Sequence, residues 1–173
     1  MKQTTRTLTT NALLLALICV LSYLNIPLPF ISGAITGTTL AMCLVALVRP
    51  PKDTLIIIII YLFMGAIGLP VFAGGEGFAK FIGPAAGYYI SWPFAFPLLS
   101  YSLQKKQNIW HKYFLTLVIT IPIIYGMGAI GLILTTKMGI VPAFLGQIVY
   151  LPGDTIKYLI AVIIAKRLKF INA

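Results

Sequence analysis

Three acidic residues occur in the chain: Asp53, Glu76 and Asp154. Asp154 stands in "LPGDTIKYL", residues 151–159, with Lys157 three places on and the apolar run "IAVIIA" behind it. Helical spacing of i, i+3 puts the two charged side chains on one face. A carboxylate there accepts hydrogen bonds from ligand N–H groups, and an ammonium donates to a carbonyl or carboxylate. Pro152–Gly153 is expected to break the helix and leave Asp154 at an N-cap, facing free backbone N–H groups and the positive end of the helix dipole. Asp154 lies twelve residues before the basic anchor Lys166 and Lys157 nine, roughly 18 Å and 14 Å along a helix. A charge near mid-span costs at least about 2.5–3.5 kcal/mol. An internal pair that only neutralises itself explains how such charges survive. It does not explain why two apolar residues are not used instead, because a buried pair is weak evidence for stability. A polar pocket floor is the functional alternative.

A second acceptor is available in "FAGGEGFAKF", where Glu76 either reaches the same pocket or pairs with Lys80 at i+4. Aromatic residues near the same ends of the apolar runs, among them Phe30, Phe72, Phe78, Phe81, Tyr88, Tyr89, Trp92 and Tyr150, offer apolar walls. Other chemistry finds little support. "GMGAIG", Gly126–Gly131, matches GxGxxG but sits inside an apolar run with no preceding strand and no following acid. It reads as a small-residue helix contact and not as a dinucleotide motif. There is no GxxxxGK[ST]. His111 lies in a basic loop away from most serines, which argues against a hydrolase triad and hence against an enzyme. One His, two distant Cys and three scattered acids are too few for a metal site. Cys19 and Cys43 read as small core residues.

The elements that hold these groups must lie in lipid. The 173 residues are 60% hydrophobic and 9% charged, too apolar for a water-soluble domain of this length. One membrane-embedded domain, residues 1–173, is expected, all-α, with six spans. They run about 10–26, 34–48, 54–69, 83–103, 112–135, and from the Pro152–Gly153 region to about 169. The first span starts like a signal peptide but lacks a small-x-small cleavage site and is long enough to cross. The net charge of +10 is spread in small groups and reads as topology, not as nucleic-acid binding. Lys2 and Arg6, Arg49 and Lys52, Lys105, Lys106 and Lys112, then Lys166, Arg167 and Lys169 fall on one side of six spans. Lys80 and Lys137 fall on the other. The positive-inside rule then places both termini in the cytoplasm. The outward connections "NIPLPFISG" and "GLPVFAGGEGFAKFIGP" are rich in Pro, Gly and aromatics, which suggests re-entrant loops over a cavity.

"GLPVFAGGEGFAKFIGPAAGYYISW" (68–92) and "LPGDTIKYLIA" (151–161) together resemble the glycine-rich loop and the PGD-x-x-K signature of the BioY family, the biotin-specific S subunits of energy-coupling factor (ECF) transporters. "NALLLALICVLSYL" is similar to the first helix of such subunits. The resemblance spans most of the chain. It implies a multi-pass protein of a prokaryotic cell membrane that takes biotin from outside, beneath the loops after helices one and three. Asp154 and Lys157 fall on the positions that contact the bicyclic ring, and Glu76 falls where the loop contacts it. Gly75, Phe72 and Tyr88 complete the expected ligand set. Ala12 and Ala16 fall on the face that docks a transmembrane coupling subunit joined to two ABC ATPases, so ATP is bound by partners and no cofactor by this chain. The family's GPTGG reads "GPAAG" here, and an acid at 76 departs from the pattern. The alternative is a stand-alone proton- or ion-coupled carrier of a small vitamin-like solute, with Asp154 titrating.

Overall fold

Lipid cannot hydrogen-bond a backbone, so apolar runs become helices that satisfy their own amides. The computed structural model describes residues 5–27, 34–72, 77–103 and 108–171, the side chains of 25–27, 34–35 and 169–171 excepted. The helices are α1 (Thr5–Ser22), α2 (Thr38–Val48), α3 (Pro51–Ala66), α4 (Ala86–Ser102), α5 (Ile109–Thr136), α6 (Ile140–Leu145) and α7 (Leu151–Ile171). Single 3-10 turns cover Phe78–Phe81, before α4, and Gly146–Tyr150, between α6 and α7. Among the described residues, three stretches are long and apolar enough to cross a bilayer: Thr5–Ser22, Ile109–Thr136 and Ile140–Leu168. α2 is a shorter apolar helix.

The described chain is helical apart from one short pair: β1 (Asn25–Pro27) and β2 (Ala34–Thr36) run antiparallel, Asn25 opposite Thr36. Two expected helix boundaries are corrected. β2 takes up Ala34–Thr36, so the second helix starts at Thr38 and not at Ala34. The last span is also entered differently. Pro152–Gly153 does not break the helix. Both lie in the first turn of α7, where proline's missing N–H has no intrahelical partner to lose. A further short helix, α6, precedes it.

The bundle is apolar on its surface as well as in its core. Leu13, Phe63, Phe94, Trp110 and Leu134 are exposed, whereas Thr54, Ser91, Thr116 and Thr120 are buried. That is the distribution a lipid-solvated protein needs, with polar groups bonded inside. α2 forms the centre, with residues 41–47 all buried, and packs against α1, α3, α4 and α7. α4 and α5 make the most extensive helix pair. Their backbones meet at Gly87 and Gly131, where an added Cβ on either would strike the other helix. The "GMGAIG" glycines are thus partly a helix contact, as small residues in membrane helices generally are. Pro93, Pro97 and Pro122 lie inside α4 and α5 without ending them.

Candidate functional site

Asp154 sits in the first turn of α7, 7% exposed. Its carboxylate does not serve as the expected N-cap. Oδ2 accepts a hydrogen bond from the Tyr125 hydroxyl of α5 at 2.8 Å, and Oδ1 pairs with Lys157 Nζ at 2.5 Å. The same ammonium donates to the Thr36 carbonyl at 3.0 Å and to Thr39 Oγ1 at 2.9 Å. One turn of α7 therefore ties together α5 and the start of α2. The i, i+3 spacing did bring the two charges to one face, and they pair directly.

Pairing cancels the net charge, which is how both groups tolerate burial. It also defines what the site can do. An acceptor and a donor lie side by side, each with hydrogen-bonding capacity directed at the other. A neutral ligand with adjacent N–H and C=O groups matches both at once and replaces the intramolecular contact without leaving either charge bare. An isolated cation or anion would satisfy one partner and strand the other.

A tyrosine group lies close to the pair, and an aromatic cluster is joined to it through Tyr61 and the start of α2. Asp154 is within electrostatic range of Tyr88, Tyr150 and Tyr158. The Tyr88 hydroxyl donates to Gln147 Oε1 at 2.5 Å, and the buried Gln147 amide donates to the Ala143 carbonyl at 2.9 Å. The ring of Tyr88 lies over Gly128, where a side chain would occupy its place. On the other flank, Phe72 is buried against Tyr61, Phe81 and Tyr89, with ring centroids 5.3, 6.1 and 4.8 Å away. Gly65 leaves the room that the Phe72 ring fills. Tyr61 links the flanks: its hydroxyl donates to the Val71 carbonyl at 3.0 Å and lies beside Thr38, one residue from Thr39. Buried Ser22 donates to the same carbonyl at 2.6 Å.

Of the expected ligand set, Asp154 and Lys157 are together, Tyr88 borders them, and Phe72 belongs to the neighbouring aromatic cluster. Gly75 and Glu76 lie outside the described residues. Ala12 and Ala16 are exposed on α1 beside Leu13, away from this site. Sequence reasoning missed Tyr125, Gln147, Thr36 and Thr39. Tyr125 carried a usable signal, since a hydroxyl deep in an apolar span needs a partner just as a charge does. A separate hollow of about 190 Å³ near the far end of α2 is lined by Arg49, Pro50 and Ser100. Arg49 is engaged there by Asp53.

Comparison with known proteins gives a match to the BioY family over residues 1–172. "Biotin transporter BioY" of Lactococcus lactis subsp. cremoris is 32% identical over 96% of this chain and 92% of its own length. "Biotin transporter BioY" of Rhizobium etli is 32% identical over 94% and 92%. Among solved structures, the 2.1 Å crystal structure of the S-component for biotin from an ECF-type ABC transporter superposes with a TM-score of 0.91. It is 31% identical, covering 97% of this chain and 95% of that one.

Proposed function

The chain belongs to the BioY family, and from that premise we propose that it is the biotin-capturing S component of an ECF-type transporter, a transport subunit and not an enzyme. The observation that carries the reading is the Asp154–Lys157 pair with its Tyr125 and Thr39 supports. Biotin's ureido ring presents N–H donors beside a polarised carbonyl. Asp154 accepts from the N–H, Lys157 donates to the carbonyl, and the internal ion pair opens as the ligand enters. Tyr125 holds the outer carboxylate oxygen throughout, so the other is already aimed. Phe72 and Tyr88 offer surface to the apolar ring, and Gly75 and Glu76 complete the proposed ligand set.

The chain is one membrane-embedded domain crossing a prokaryotic cell membrane six times, with both termini cytoplasmic and the site opening outward. It carries no cofactor. Ala12 and Ala16 form the face for a transmembrane coupling subunit, and two ABC ATPases attached to that subunit bind ATP. Support comes from the exposure of those alanines and from the basic residues on one side of the spans.

The test is calorimetric titration of the purified protein with biotin, beside Asp154→Asn and Lys157→Ala. Each substitution removes a charge-assisted hydrogen bond and is expected to weaken binding by roughly 10- to 100-fold. Unchanged affinity in both variants would sink the site assignment, and no binding to the unaltered protein would sink the ligand.

A further inference from the structure

Trp92 is 7% exposed, yet its indole Nε1 is buried without a hydrogen-bond partner among the described residues. Indole N–H is a donor only, and a donor held from water with nothing to bond is costly enough that native proteins rarely keep one. Its nearest ring neighbours are aromatic, and neither tyrosine hydroxyl among them bonds to it. Tyr89 and Tyr61 lie 4.6 and 6.3 Å from the Trp92 ring, and Phe72 and Phe81 extend the same cluster. The location is also specific. Trp92 comes six residues after the first residue of α4, and Lys157 six after the first residue of α7, each ~9 Å along its helix. The cluster and the charged pair share a wall, the start of α2: Tyr61 lies beside Thr38, and Lys157 is bonded to Thr36 and Thr39.

We infer that Trp92 is a further ligand-contact residue, whose N–H donates to the ring sulfur of the bound bicycle. The inference rests on the biotin reading above. In that bicycle the sulfur sits on the edge opposite the ureido carbonyl. With its ureido edge on Asp154 and Lys157, the ligand would reach Trp92 by extending its sulfur edge past the start of α2 toward α4. There an aromatic lining suits a thioether ring, and the unpartnered indole N–H meets the weak sulfur acceptor on that edge. The tail carboxylate is the poorer candidate, because burying it against a single neutral donor leaves most of its charge unsolvated.

The sulfur can be removed from the ligand as well as the N–H from the protein. Trp92→Phe and the unaltered protein are titrated with biotin and with desthiobiotin, which keeps the ureido group and tail but lacks the sulfur. The expected result is a loss of about three- to tenfold for biotin, the size of one modest hydrogen bond, and less than twofold for desthiobiotin. Equal losses for both ligands, or none for biotin, overturn the contact. Absence of biotin binding to the unaltered protein would instead overturn the reading beneath it. Trp92 and Trp110 are the two tryptophans of the chain, and Trp110 is 66% exposed. If Trp92→Phe does not fold, Trp110→Phe leaves Trp92 as the single fluorophore. Biotin must then change its emission more than desthiobiotin does at saturation, and identical changes overturn the contact.

Discussion

Lys157 serves three oxygens at once, and only one of them belongs to its own helix. The ammonium is both half of the candidate binding pair and the tie that fixes α7 to the start of α2. Asp154 is anchored likewise through Tyr125. Removing the Tyr125 hydroxyl leaves Oδ2 free, so the carboxylate can rotate and share both oxygens with Lys157. Tyr125→Phe is therefore expected to weaken biotin binding by roughly tenfold, within the range for a hydrogen bond to a charged group, while the protein stays folded. Titration beside a melting curve checks this. Loss of folding with unchanged affinity in the surviving fraction would make Tyr125 purely structural. Asp154 and Lys157 were legible in the sequence because charge inside an apolar run demands an explanation. Their partners were not. Thr36 lies 121 positions from Lys157, and threonine and tyrosine occur in membrane helices for many reasons, so only the fold identifies which ones serve.

At the scale of elements, the helices followed from apolar runs, but their ends did not. Pro152–Gly153 looks like a helix breaker read alone, yet proline is tolerated in a first turn, and α7 begins one residue before it. The "GMGAIG" segment shows why a motif without its neighbours is ambiguous. Its three glycines have three different environments. A Cβ on Gly131 would meet the backbone of Gly87, one on Gly128 would meet the Tyr88 ring, and one on Gly126 would meet nothing. A graded series follows. Gly131→Ala forces α4 and α5 apart and is expected to cost about 1–3 kcal/mol, as overpacking typically does. Gly128→Ala displaces Tyr88 and with it the bond to Gln147, so affinity is expected to fall along with stability. Gly126→Ala is expected to be neutral or slightly stabilising, since alanine in a helix improves on glycine. Thermal unfolding in detergent, with and without biotin, ranks the three. A melting temperature lowered as much by Gly126→Ala as by Gly131→Ala would mean the close approach does not limit stability.

For the whole molecule, capture from outside requires that the end of the bundle bearing Asp154 face away from the cytoplasm. Composition argued for a membrane protein, and the exposed apolar surface agrees with it. Orientation rests on a different property, the distribution of lysine and arginine, because packing inside the bundle is indifferent to which way it is inserted. α5 offers the cleanest test. Its 28 residues extend ~42 Å, more than the roughly 30 Å hydrocarbon core, so its two ends must reach opposite sides. His111, expected in a loop, lies exposed in the first turn of α5, and Met138 is exposed just past its end. In a background lacking Cys19 and Cys43, Met138→Cys is expected to react with a membrane-impermeant maleimide in intact cells. His111→Cys is expected to react only after permeabilisation. The reverse pattern would turn the Asp154 end toward the cytoplasm. The pair would then meet biotin at internal concentrations, the exposed α1 alanines would present the wrong way to a coupling subunit, and uptake through this site would have to be abandoned even if the purified protein bound biotin tightly.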